Sequence, residues 1–395
     1  MNLEERIARR HTASGRAGLL LDRNALSPTV HLPTPIGRGT ELERLLDAVE
    51  PVFAGELPAP FAVAGPPGSG TSAIVTALFD ALTAELAGNR QAIGTTTRAG
   101  TDTGEPTTWF VTVDARRVTS AFAFYRAVLS TISAEPVPTS GVGTAALRER
   151  MRQRLESPDN QVVIAIDHHD EPETLTANRV STLLDAVTDS TTVVPVGQRV
   201  PDDWGYPVVD IPAYRHHELV DILSERASAG LTGGALDHQT IRSLAAWADG
   251  NAHDALSALF NGAILASESG EETIESASLE RAKADVPPDC VHVDRALALP
   301  ETRQQVLCAL VGLGSTGGRE RERLPERPIR DLATEIADRG DLAAGTVKRL
   351  LYELAEHGLL ERIPLESSGS GRQPSTLKPR FPTIAFRALT TVQPS

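Results

Sequence analysis

The 395-residue chain sets 38 basic against 52 acidic side chains, a formal net charge of −14, with 41% hydrophobic and 23% charged residues. That length and apolar content suit two or three globular domains and exclude a fibrous or wholly disordered chain. The acidic balance argues against nucleic acid as a partner unless basic residues are gathered locally.

No apolar run nears the roughly 20 residues that span a bilayer, so no membrane partner is expected. The polar N-terminus MNLEERIARRHTASGR has no signal core, so a cytoplasmic protein is expected. Cys290 and Cys308 are too few for a disulfide framework or a four-thiolate zinc site.

In chain order, a proline-punctuated lead-in precedes a helix predicted over Thr40–Val52, with Leu42, Leu45, Leu46 and Val49 on one stripe. Thr40 is its expected N-cap, with Glu43 completing a capping box. A strand at Phe61–Ala64 enters the glycine-rich turn GPPGSGTS, and the helix leaving it carries Ile74, Val75, Leu78, Phe79, Leu82 and Leu86 on one face. Gly88–Thr108 is Gly/Thr-rich and aperiodic, which reads as a loop.

Strands are predicted at Trp109–Asp114, Val162–Asp167 and Thr192–Gly197, and helices near Phe122–Ile132, Thr144–Leu155 and Val180–Val187. This alternation predicts an α/β domain with a parallel sheet covered on both faces. From Ala213 to Ala284 the pattern is wholly helical. After Pro287–Pro288, helices at Glu301–Leu313, Ile329–Arg339 and Ala343–His357 lead to two strand-like runs, Glu361–Leu365 and Ser375–Phe381. Three helices and a two-stranded wing describe a winged helix. The expected domains are residues 1–212, 213–286 and 287–395.

Gly65, Pro66, Pro67, Gly68, Ser69, Gly70, Thr71 and Ser72 look like a Walker A phosphate loop, GxxxxGK(S/T), with Thr71 where the lysine belongs. Backbone N–H groups and the following helix N-terminus would cradle phosphates of ATP or ADP. Ser72 stands at the Mg²⁺ position. Val162–Asp167 resembles a Walker B strand in which Asp167 would reach Mg²⁺ through water. His168 then stands where a water-polarising glutamate is expected, and a neutral imidazole can accept a proton but places no carboxylate beside the metal. Asp167 and His168 are the catalytic candidates. Reading His168, His169, Asp170 and Glu171 as a metal cluster is disfavoured, because neighbours on a strand face opposite ways. Gln198, at the end of a strand, could hydrogen-bond a phosphate or a water.

In the third unit, Val347, Leu350, Leu351 and Leu354 form a buried stripe that places Lys348, Arg349 and Tyr352 on the opposite face. Such a face enters the major groove of DNA, while Arg372, Lys378 and Arg380 of the wing would meet the backbone or minor groove. Glu353 and Glu356 oppose this with negative charge.

The segment GNAHDAL (Gly250–Leu256), the lead-in LDRNALSPTVHLP, Arg38, GELPAPFAVAGPPGSGTSA, IPAYRHHELVDILSERA and the terminal winged helix occur in one order. This order resembles the archaeal origin-recognition and cell-division-control initiators, an AAA+ family with a helical lid and a winged helix. The resemblance implies ATP or ADP with Mg²⁺ as cofactor, double-stranded DNA at origin-like or regulatory sites as partner, and self-association or pairing with initiator paralogues. It would make His253 the equivalent of an arginine that contacts the γ-phosphate. The departures fall on catalytic groups: Thr71 for lysine, His168 for glutamate, His253 for arginine. The segment between Gln198 and Pro212 is shortened, and its only arginine, Arg199, sits too early to serve a neighbouring subunit's ATP. Only Lys283, Lys348 and Lys378 are lysines, a bias that suits proteins of salt-loving archaea or a GC-rich genome.

The expected function is therefore DNA binding by an initiator-like protein with a degenerate ATP site and little or no hydrolysis. Two alternatives stand beside it: a slow but genuine ATPase in replication initiation that uses His168 or Glu171, and a transcriptional or signalling regulator on the same scaffold.

Overall fold

The computed structural model describes residues 18–96, 107–157, 159–315, 327–365 and 373–391, with the side chains of 87–96 and 315 left aside. Two compact units divide the chain, one of residues 31–214 and one of residues 1–30 with 215–395.

Near-continuous apolar runs, buried on both faces, build the sheet of the first unit. β1 (Ala62–Ala64), β2 (Thr107–Asp114), β3 (Asn160–Asp167), β4 (Thr191–Gly197) and β5 (Val208–Asp210) are parallel in the order β2-β3-β4-β1-β5. Val162, Ile164 and Ile166 face one cover, packed with Phe124, Val128, Leu129 and Met151. Val163 and Ala165 face the other, with Val63, Ile74, Phe79 and Val194. Both faces are therefore dry, as a parallel sheet requires. The register sets Asp114 beside Asp167, Asp167 beside Val196 and Ala64 beside Gly197, so the carboxyl ends of the strands finish together. Ligands of open parallel sheets bind at this edge.

Three local expectations are corrected. The first long helix runs Gly39–Val49 and continues as a 3₁₀ turn, Glu50–Ala54. Its N-cap is Arg38, without a side-chain capping bond, and Thr40 lies inside the first turn, so no Thr40–Glu43 capping box forms. The helix after the phosphate loop continues to Thr96, past Gly88, where a loop was expected. Extending a nucleated helix through Gly88 and Gly94 costs only about 1 kcal/mol for each. The three-residue β5 was not anticipated, being too short to carry a pattern.

In the second unit the lead-in is tied to the helix His216–Gly230. Leu21 N–H donates to the Gly230 carbonyl at 2.8 Å, and the buried Arg226 donates to the carbonyls of Ala25 and Val30. Helices His238–Trp247, Ala252–Glu268 and Ser276–Ala284 follow, the middle one buried along most of its length. Helices Val293–Leu297 and Glu301–Ser315 then precede a helix–turn–helix of Ile329–Asp338 and Ala344–Glu356. The wing pairs β6 (Leu360–Pro364) antiparallel with β7 (Ser375–Pro379). An unanticipated last helix, Thr383–Leu389, is capped by Asp285, which accepts from Ile384 N–H at 2.9 Å and from the Thr383 hydroxyl. No helix among the described residues is long and apolar enough to cross a membrane.

Candidate nucleotide site and nucleic-acid interface

Between β1 and the helix Thr71–Thr96 the chain must reverse within a few residues. Gly68 (φ 70°) and Gly70 (φ 83°) take the left-handed conformation that permits this. A Cβ on Gly70 would stand 2.6 Å from the Tyr214 hydroxyl, and one on Gly65 would stand 2.4 Å from the Ile211 carbonyl, so both positions also require the absence of a side chain. Pro66 and Pro67 lie exposed at the start of the turn. The turn is held from beneath by Arg38, 1% exposed, which donates to the Ser69 carbonyl at 2.7 Å and the Pro212 carbonyl at 2.8 Å. Its guanidinium lies 3.6 Å from the centre of the Tyr214 ring. The sequence marked Arg38 only by its place after the prolines; its buried clamp on the loop was not legible.

Ser72 Oγ donates to Asp167 Oδ1 at 3.1 Å, so the pair expected to face a metal meets across the turn. Thr71 heads the helix and brings no charge to it. The strand ends at Asp167, and His168 enters a turn with φ 60°. The opposite-faces expectation for the two histidines therefore rested on a strand that has already stopped. His168 swings back, its Nε2 3.5 Å from Asp167 Oδ2 and its Nδ1 3.0 Å from Glu171 Oε1. His169 instead is buried near Gly197, and Asp170 accepts from Arg199 N–H at 3.1 Å and pairs with its side chain. The four residues thus divide between two places. Arg199 is bound to the turn after β3, donating also to the Asp170 carbonyl at 2.9 Å, and Gln198 stands exposed at the end of β4.

Arg116, just past β2, was missed. Its Nε and Nη2 reach Asp114 at 2.9 and 3.1 Å, a bidentate pair beside Asp167. Burial pushes Asp114 up, but the bonds and charge of Arg116, with help from His168, outweigh it and hold the carboxyl below its ordinary range. Burial dominates at Asp167 and raises its pKa despite the opposing fields of His168 and Arg116 and the Ser72 bond. Burial likewise lowers His169.

His253 lies elsewhere, in the second unit. Its Nε2 accepts Val293 N–H at 3.1 Å, which leaves the proton on Nδ1 to donate to Asp254 at 3.1 Å. The ring stacks on His292 with centroids 4.0 Å apart. Both nitrogens are engaged within the unit, so no nitrogen is left for a phosphate. The atoms of His253, Asp254 and Cys290 lie within 4.8 Å of one another. The lone pair of His253 is turned to Val293, however, and burial pushes the Cys290 thiol well above its usual range, which is the wrong donor set for a metal.

On the helix Ala344–Glu356, Val347, Leu350, Leu351 and Leu354 are buried while Lys348 and Arg349 are exposed. Arg349 pairs with Glu353, which also meets Arg303 at 3.4 Å. Tyr352 is half-buried beneath Arg362, whose guanidinium lies 4.9 Å from the ring centre. Arg362 was missed among the wing residues. Lys378 is exposed on β7 opposite Glu361. Arg380 is instead turned inward, toward the carbonyls of Gly358 and Asp289 at 3.4 and 3.3 Å, and so braces the wing. Arg372 lies outside the described residues.

Residues 34–196 match the AAA ATPase domain, 220–284 the Cdc6 AAA+ ATPase-type lid domain, and 330–364 the IclR helix-turn-helix domain. The chain is 22% identical over 357 residues to ORC1-type DNA replication protein 6 of Halobacterium salinarum, covering 85% of this chain and 86% of that protein. It is 25% identical over 381 residues to ORC1-type DNA replication protein 11 of Haloarcula marismortui, covering 91% and 87%. Its fold is similar to that of Aeropyrum pernix ORC1, solved in complex with DNA, at TM-score 0.61 and 20% identity over 94% of this chain and 96% of that one. Aeropyrum pernix ORC2, solved in ADPNP-ADP complexes, is similar at TM-score 0.52 and 16% identity over 94% and 97%.

Proposed function

We propose that this chain, which belongs to the ORC1/Cdc6 type of AAA+ proteins, binds double-stranded DNA at origin-like or regulatory sites through its C-terminal helix–turn–helix and wing, with little or no ATP hydrolysis. The observation that carries this is the outward face of the helix Ala344–Glu356. Lys348 and Arg349 are exposed there, beside the stacked Arg362–Tyr352 pair and near Lys378 of the wing. Cations on one face supply phosphate contacts even when the whole chain is acidic, and the helix between them is free to meet base edges.

Reduced hydrolysis follows from the missing groups. Thr71 adds no charge at the phosphates, and His168 is held between two carboxylates rather than presenting one of its own. A single charged transition-state donor is worth about 10³–10⁵ in rate, so joint loss leaves turnover near background.

Fluorescence anisotropy on duplex DNA tests the binding. Lys348→Ala with Arg349→Ala is expected to weaken affinity about tenfold or more and to flatten the salt slope by about two phosphate contacts. Unchanged affinity removes the winged helix from the reading. A slow ATPase remains the second reading, favoured by the retained Ser72–Asp167 contact. Turnover that falls in Ser72→Ala would establish it.

A further inference from the structure

We propose that the loop Gly65–Ser72 binds the polyphosphate end of a nucleotide without a divalent metal, with His168, rather than an ion, occupying the carboxylates behind the loop. The inference rests on the phosphate-loop part of the reading above and is independent of DNA binding.

The loop has donors waiting for an anion. Among the described residues, the N–H groups of Gly68, Gly70, Thr71 and Ser72 have no acceptor. Ser69, 0% exposed, keeps its Oγ without a partner, and that atom would lie 2.6 Å from a Cβ on Gly65, inside the curve of the turn. A buried hydroxyl left without a partner is unfavourable, and an acceptor entering the turn would satisfy it. Phosphate oxygens are such acceptors, and the helix N-terminus adds its field.

The metal side does not fit. Mg²⁺ requires near-octahedral oxygen donors, usually one or two carboxylates with water and phosphate. Of the three carboxylates here, Asp114 is held bidentately by Arg116 and Glu171 is met by His168 Nδ1. Asp167 accepts the Ser72 hydroxyl and His168 N–H on Oδ1 and faces His168 Nε2 with Oδ2. An imidazole nitrogen is a poor partner for Mg²⁺. The corner thus carries its own nitrogen groups where an ion would need oxygen, and one of them, the Arg116 guanidinium, is always charged.

Calorimetric titration of the full chain with ADP, in EDTA and in excess Mg²⁺, tests this. The expected dissociation constants agree within about threefold, and inorganic tripolyphosphate displaces the ADP. Tightening of about tenfold or more by Mg²⁺ overturns the proposal. So does an absence of ADP binding up to about 1 mM in both buffers, a result that leaves the DNA-binding reading standing. His168→Glu, which returns a carboxylate, is expected to create a Mg²⁺ dependence of about tenfold. His168→Gln, of similar size but without the imidazole that spans Asp167 and Glu171, is expected to bind more weakly without gaining one. A His168→Gln chain that becomes Mg²⁺-dependent, or a folded His168→Glu chain that stays metal-independent, takes the role of excluding the metal away from His168 and overturns that part of the proposal.

Discussion

The corner at the carboxyl ends of β2 and β3 and the outer face of the helix Ala344–Glu356 are both rich in charge, yet they use it in opposite ways. At the corner, Arg116 meets Asp114, His168 lies between Asp167 and Glu171, and Arg38 is buried under the loop. Each of these side chains answers a group of the same unit. On the helix, Lys348 is exposed with no ion pair among the described residues, and Arg349 meets Glu353 only as an i,i+4 surface pair, 63% exposed. Such surface pairs are worth about 0.3–0.5 kcal/mol and are readily exchanged for a phosphate. Internal neutralisation builds architecture, whereas open cations build an interface.

The contrast can be broken first at Arg38. Arg38→Ala strips the carbonyls of Ser69 and Pro212 of a buried donor and leaves a void under Tyr214. A loss of about 3–5 kcal/mol is expected in urea unfolding. A loss near zero would mean that the loop holds its shape without the clamp.

Arg116→Gln is expected to cost less, about 1–3 kcal/mol, and to change the acid limb of stability. Asp114 has a lowered folded pKa, so its contribution is present above its unfolded value and is lost as pH falls through the lowered one. The variant should therefore lose less stability than the parent between about pH 4 and pH 2, read as urea midpoints. Parallel acid limbs would place the perturbation elsewhere. Arg362→Ala, which removes a guanidinium from the Tyr352 face, is the smallest change. About 0.5–1 kcal/mol of DNA affinity should be lost, with a shallower salt slope, in the same anisotropy assay.

Much of this was legible in the sequence. Strands β2, β3 and β4 were marked by apolar runs ending at Asp114, Asp167 and Gly197, and the buried stripe Val347–Leu354 fixed which face of its helix points outward. What stayed hidden depends on contacts between distant residues. No local pattern shows Arg38 reaching Ser69 and Pro212, 31 and 174 positions away. The left-handed turn at His168 was hidden too, because two histidines after an apolar run also read as strand. The His253–Val293 bond spans 40 positions, and the motif comparison gave His253 a phosphate role that its own unit has already filled. Arg362 escaped notice because its meaning lies in Tyr352, on a different element.

The most direct test sets the two regions side by side in one assay of DNA affinity on the full chain, with Asp167→Asn at the corner and Lys348→Ala with Arg349→Ala on the helix. The account predicts that Asp167→Asn leaves affinity within about twofold of the parent while the helix variant loses about tenfold or more. Loss in the corner variant with retention in the helix variant would contradict it.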